Sequence, residues 1–94
     1  MKPFEMEVKD TFFFKDGTIT FTGPVQTEEN FIGPCDCEIV EGGEVKASIW
    51  IDGEMIPSTP LDKRPSERAI STRAPIDLFA IGVGRSGFKI RPKI

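Results

Sequence analysis

Apolar residues in this chain recur at every second position far more often than at every third or fourth, and short Gly-containing turns interrupt the runs. A spacing of two is the signature of strands with one buried face, so the chain is constrained toward an all-β domain. Met6, Val8, Phe12 and Phe14 share one parity, with Asp10 breaking it, and Lys15-Asp16-Gly17 supplies a turn. The next strand places Ile19 and Phe21 on one face and Thr18, Thr20 and Thr22 on the other, where they are expected to meet water, before Gly23-Pro24.

Cys35, Cys37 and Ile39 alternate with Asp36 and Glu38, and Gly42-Gly43 predicts a tight hairpin turn. After it Val45, Ala47, Ile49 and Ile51 read as inward, and Lys46, Ser48, Trp50 and Asp52 as outward. Asp52-Gly53 reads as a further hairpin leading to Met55-Ile56, and Pro57, Pro60 and Pro65 predict a loop as far as about Ser66. Ile76–Val83 is apolar on both faces apart from Asp77 and predicts a strand covered on both sides, with a last short strand at Phe88 and Ile90. Six or seven strands are expected. With no internal repeat or boundary, residues 1–94 read as one domain, and its short strands and hidden edges favour a small closed antiparallel β-barrel.

Nine glycines and eight prolines among 94 residues argue against a helical bundle. The chain has no apolar run long enough to cross a bilayer and no signal-peptide apolar region at its start, so no membrane contact and a cytoplasmic location are expected. Neither His nor Tyr is present, which removes the commonest general base at neutral pH and any phenol to assist it. A non-enzymatic role without cofactor is therefore expected. The chain lacks the G-x-x-x-x-G-K-[ST] phosphate cradle, which excludes nucleotide hydrolysis of that type. Gly82-Val83-Gly84-Arg85-Ser86-Gly87 has the letters of a dinucleotide fingerprint, but Phe88-Lys89-Ile90 after it reads as strand rather than helix.

The order of turns and strands resembles the second domain of translation GTPases such as elongation factor Tu, a small β-barrel. Asp10 to Val25, with Gly17, Thr18 and Gly23, is similar to that family's opening hairpin. Ile32-Gly33 with Glu38-Ile39-Val40 is similar to its next segment, Ile76–Val83 with Gly82 to its strand that ends in a glycine, and Gly87–Pro92 to its exit strand ending near a proline. The resemblance implies a barrel that contacts RNA or a translation-related protein. Lys15-Asp16, Pro24 and the Pro57–Pro65 loop depart from the pattern, and no binding residue of the family carries over.

Charge is unevenly divided. Up to Ser58 there are four lysines, no arginine and twelve acids, a net of −8; from Thr59 on, eight basic residues face three acids, a net of +5. The two parts can neutralise each other across paired strands. The sharper reading is one surface for an anionic protein or RNA partner, built from Arg64, Arg68, Arg73, Arg85 and Lys89 beside an outward Trp50. A small antidote or inhibitor acting through the acidic Glu28–Glu44 region on a basic partner is the alternative. Cys35 and Cys37 point to one face and read as small buried hydrophobes with free thiols, since a metal site needs about four ligands and the chain has no other Cys and no His. Phe88, between Arg85 and Lys89, is the one aromatic ring expected beside cations.

Overall fold

The computed structural model describes residues 4–26, 32–54 and 67–93. They form an all-β, wholly antiparallel fold: β1 (Glu5–Glu7), β2 (Asp10–Phe13), β3 (Ile19–Gln26), β4 (Cys35–Glu41), β5 (Glu44–Ile51), β6 (Gly53–Glu54), β7 (Glu67–Thr72) and β8 (Lys89–Pro92). The hydrogen-bonded order is β5-β4-β8-β1-β3-β7-β6, with β2 beside β3. No ladder joins β5 to β6 or β7 among the described residues, so the sheet is an open path and not the closed barrel expected from the sequence. Its two end strands are consecutive in the chain, separated only by Asp52. No helix is long and apolar enough to cross a membrane among these residues.

Eight strands replace the expected six or seven, and the extra ones have local causes. The first predicted strand is two, because Met6 stands opposite Val25 while Asp10 stands opposite Thr22. Four residues advance along one side against three along the other, which is a β-bulge. One inserted residue exchanges the two faces of a strand. Met6 and Val8 therefore point into the core, but beyond the bulge Thr11 is the buried residue, and Phe12 and Phe14 turn outward. Gly23 makes the bulge possible: a Cβ there would come within 1.8 Å of the Glu7 carbonyl oxygen.

The second hairpin is correctly read at Gly42-Gly43, whose φ values of 60° and 80° suit a tight antiparallel turn. A register shift between Ile39 and Val40 flips the end of that hairpin and leaves Val45 exposed instead of inward. Asp52-Gly53 is not a hairpin. After Asp52 the chain changes partner, and β6 pairs with β7 (Gly53 opposite Ser71) rather than folding back on β5. β7, read from sequence as the end of a loop and a gap, is the long partner of β3, from Ile19 opposite Thr72 to Pro24 opposite Glu67. With β2 on one side and β7 on the other, Thr20 is buried rather than wetted, and Thr18 and Thr22 are half-buried.

Ile76–Val83 is not a strand. Asp77 Oδ1 accepts the N–H groups of Phe79 and Ala80, both at 3.1 Å, and the following amides bond back to Asp77, Leu78 and Phe79, so the segment coils into turns. Leu78 and Val83 still reach the core. There they join Met6, Phe21, Cys37, Ile39, Ile51, Ile70, Phe88 and Ile90, with Phe21 and Phe88 in edge-to-face contact at 6.0 Å. Burying each such phenylalanine contributes roughly 1.5–3 kcal/mol.

Candidate binding surface

Three consecutive phenylalanines are open to solvent at the β2–β3 hairpin: Phe12 at 48%, Phe13 at 47% and Phe14 at 53%. The hairpin is sharply specified. Phe14 N–H donates to Thr18 O at 2.9 Å, Gly17 N–H donates to Phe14 O at 3.1 Å with Gly17 at φ 92°, and Asp16 Oδ1 accepts the Thr18 N–H at 2.9 Å. That last bond, with a smaller contribution from the charge of Arg73, holds the Asp16 carboxyl below its ordinary 3.8. Strand alternation puts Phe12 and Phe14 together on the outer face, with Phe13 on the other side. Beside Phe13 lies Arg85, its guanidinium carbon 5.3 Å from the ring centroid.

The cations divide into two sets. Lys9, Lys46, Arg68, Lys89 and Arg91 hold ion pairs with Glu7, Glu44, Glu54, Glu5 and Glu38. Lys15, Arg73, Arg85 and Lys93 hold none among the described residues. Three of those four sit at the hairpin end: Lys15 follows Phe14, Arg85 covers Phe13, and Arg73 directly follows Thr72, which stands opposite Ile19 and through it Phe13.

The residues singled out from sequence are thus dispersed. Arg73 and Arg85 lie at the hairpin end. Trp50 is outward as expected, 45% exposed on β5; its carbonyl accepts from Thr72 Oγ1, and the next residue, Arg73, donates its N–H to Asp52 Oδ2 at 2.8 Å. Lys89 opens β8, opposite Glu7 and Val40, with Nζ 3.2 Å from Glu5. Arg68 forks onto the buried Glu54 carboxylate, Nε to Oε2 at 2.6 Å and Nη2 to Oε1, and Glu54 Oε1 also accepts the Ile32 N–H at 3.1 Å. Hydrogen bonding to Glu54 raises the Arg68 pKa further still. Arg64 and the Pro57–Pro65 loop lie outside the described residues.

Three cations from the carboxy-terminal part, Arg68, Lys89 and Arg91, are therefore bound to acids from the first 58 residues. In the acidic segment, Glu38 and Glu44 hold Arg91 and Lys46. Phe88, expected to pair with neighbouring cations, is buried in the core, and Phe13 takes that role with Arg85. Sequence reasoning missed the phenylalanine face because it carried one parity through Asp10; the polar Asp10 inside an apolar alternation was the available signal of the bulge. Cys35 and Cys37 are buried free thiols with sulfurs 3.4 Å apart, and burial, then hydrogen bonding to Cys35, pushes the Cys37 thiol upward.

Comparison with protein-family models, with curated proteins and with solved structures finds no match.

Proposed function

We propose that this chain is a non-enzymatic binding module that seats a single strand of RNA on the outer face of its β2–β3 hairpin. The observation that carries this reading is the pair of half-exposed rings, Phe12 and Phe14, on one face of one strand, at a hairpin end where Lys15, Arg73 and Arg85, the last lying over Phe13, hold no ion pair among the described residues. Residues two apart on a strand place their side chains about 6.4–6.8 Å apart. Two open rings in that arrangement offer neighbouring bases stacking platforms, and the arginine forks suit phosphate oxygens. Among the described residues the other cations except Lys93 are paired with acids, which concentrates unpaired positive charge at this end of a protein of net charge -3.

The finer fold reading belongs with this proposal. β5 and β6 end the ladder path yet are joined by Asp52, whose N–H donates to Ser71 O at 2.9 Å. A barrel closed through the chain at Asp52, like the second domain of translation GTPases, is supported by that continuity. An adaptor role is what the same resemblance implies.

The test is fluorescence anisotropy of labelled oligouridylate at low salt. Base–aromatic stacking is worth about 1–3 kcal/mol per base, so Phe12→Ser and Phe14→Ser should each weaken binding about 5- to 150-fold. Trp50→Ser should leave it within about twofold. Binding untouched by the phenylalanine variants, or abolished only by Glu41→Lys with Glu44→Lys, refutes the proposal and favours the acidic surface.

A further inference from the structure

We propose that Arg85 and the turn that carries it cap the outer edge of β2, and that losing this cap opens the edge to β2 of a second copy of the chain. The inference rests on edge geometry and is independent of RNA binding.

Among the described residues β2 pairs with β3 on one side only. Antiparallel strands alternate between residues that exchange hydrogen bonds with a given neighbour and residues whose backbone groups point the other way. The Phe14–Thr18 bond assigns Phe12 and Phe14 to the first class and Thr11 and Phe13 to the second. The N–H and C=O groups of Thr11 and Phe13 therefore face the side away from β3.

β8 supplies part of a neighbour there. Val8 N–H donates to Phe88 O at 2.8 Å, and Gly87 N–H donates to Val8 O at 3.0 Å. The register that sets Met6 opposite Ile90 brings Arg85 opposite Thr11 when carried on. Gly84 and Gly87 have φ of 70° and 85°, however, so the chain leaves strand geometry. Side chains then do what a ladder would have done: Thr11 Oγ1 donates to Arg85 O at 2.7 Å, Arg85 Nη2 donates to Thr11 O at 3.3 Å, and the guanidinium covers Phe13. A charged side chain laid along an edge is one of the ways proteins stop strands from adding.

Without Arg85 the edge presents an unpaired carbonyl, a phenylalanine backbone and three exposed rings, with no proline to block pairing. The second copy is the occupant that fits best, because β2 is complementary to itself. Antiparallel pairing centred on Phe13 sets Phe13 against Phe13 and Phe12 against Phe14 of the second copy, so rings meet rings on both faces. Asp10 falls opposite Asp16 of the second copy, which confines the contact to Thr11–Lys15.

The experiment is molar mass by light scattering across a concentration series. Wild type should remain monomeric. Arg85→Ala should associate at concentrations about ten- to hundredfold lower, the worth of one hydrogen bond from a charged group. Adding Phe13→Lys should return Arg85→Ala to monomer, since a lysine on the edge blocks pairing by another route. Arg85→Lys keeps the charge but loses the fork and should associate more weakly than Arg85→Ala; it carries the test should the alanine variant fail to fold. Wild type associating as readily as Arg85→Ala overturns the proposal. So do monomeric behaviour of Arg85→Lys and of any folded Arg85→Ala, and association that survives Phe13→Lys.

Discussion

Replacing Arg68 by Met should destabilise this protein as strongly as a core truncation. The Glu54 side chain is 1% exposed and that of Arg68 14%, and the two meet through two parallel bonds, from Nε and Nη2, while Glu54 also holds the Ile32 amide. Removing one partner of a buried pair strands a charge in low dielectric and typically costs about 3–5 kcal/mol. Because part of Arg68 reaches solvent, the lower end applies, about 3 kcal/mol. A 94-residue domain has a total stability of about 5–14 kcal/mol, so this loss is a large fraction of it. The melting temperature should fall by roughly 12–24 °C, at about 4–8 °C per kcal/mol for a domain of this size. The Glu54→Leu/Arg68→Met double variant should lose less than Arg68→Met alone, since apolar groups of similar volume need no compensation. Urea and thermal unfolding followed by circular dichroism measure all three proteins. A loss below about 1 kcal/mol for Arg68→Met, as for a surface pair, would refute the reasoning, and so would a double variant no more stable than Arg68→Met alone.

Gly23→Ala should cost about 3 kcal/mol or more in urea unfolding, because the added Cβ meets a backbone carbonyl that cannot swing aside; a neutral outcome would remove the bulge from the account. Cys35 and Cys37 should resist a disulfide-exchange reagent such as Ellman's until the protein unfolds, since both are buried and burial keeps the Cys37 thiol protonated; rapid reaction of the native protein would contradict this. The folded protein also holds two carboxyls low, Glu7 below its ordinary 4.5 through Lys9 and Asp16 below 3.8 through the Thr18 amide. A depressed folded pKa contributes stability above the unfolded value that is lost as pH falls through the folded one. Unfolding midpoints should therefore drop on acidification below about pH 4.5, and Glu7→Gln with Asp16→Asn should flatten that drop, whereas an unchanged slope would show that other groups govern it.

The all-β class, the two hairpins and the inward Cys35, Cys37, Ile39, Ile49 and Ile51 were legible because period-two alternation and turn glycines are local signals. What escaped was register. A single extra residue near Val8 and Lys9 exchanges the faces of β2, and nothing local distinguishes a bulge from a continued strand except the misplaced Asp10. Ile76–Val83 misled for a different reason: its apolar residues do reach the core, but Asp77 captures two amides and turns the backbone before a strand can form. β7 hid because Glu67–Thr72 alternates weakly and is stabilised by β3, a neighbour distant in sequence. In the candidate surface, Arg73, Arg85 and outward Trp50 were legible as types. That Arg68 and Lys89 are bound to glutamates depends on pairing that only the folded chain brings about.

The most direct test of the central claim is photocrosslinking of a 4-thiouridine oligouridylate to the native protein, with the modified residue identified by mass spectrometry. The account predicts adducts on Phe12 or Phe14, suppressed by Arg73→Ser and by raised salt, with the logarithm of affinity falling against the logarithm of salt at a slope of about −2 for three phosphate contacts. Adducts confined to Trp50 or to the β4–β5 face, or labelling indifferent to salt, would contradict it.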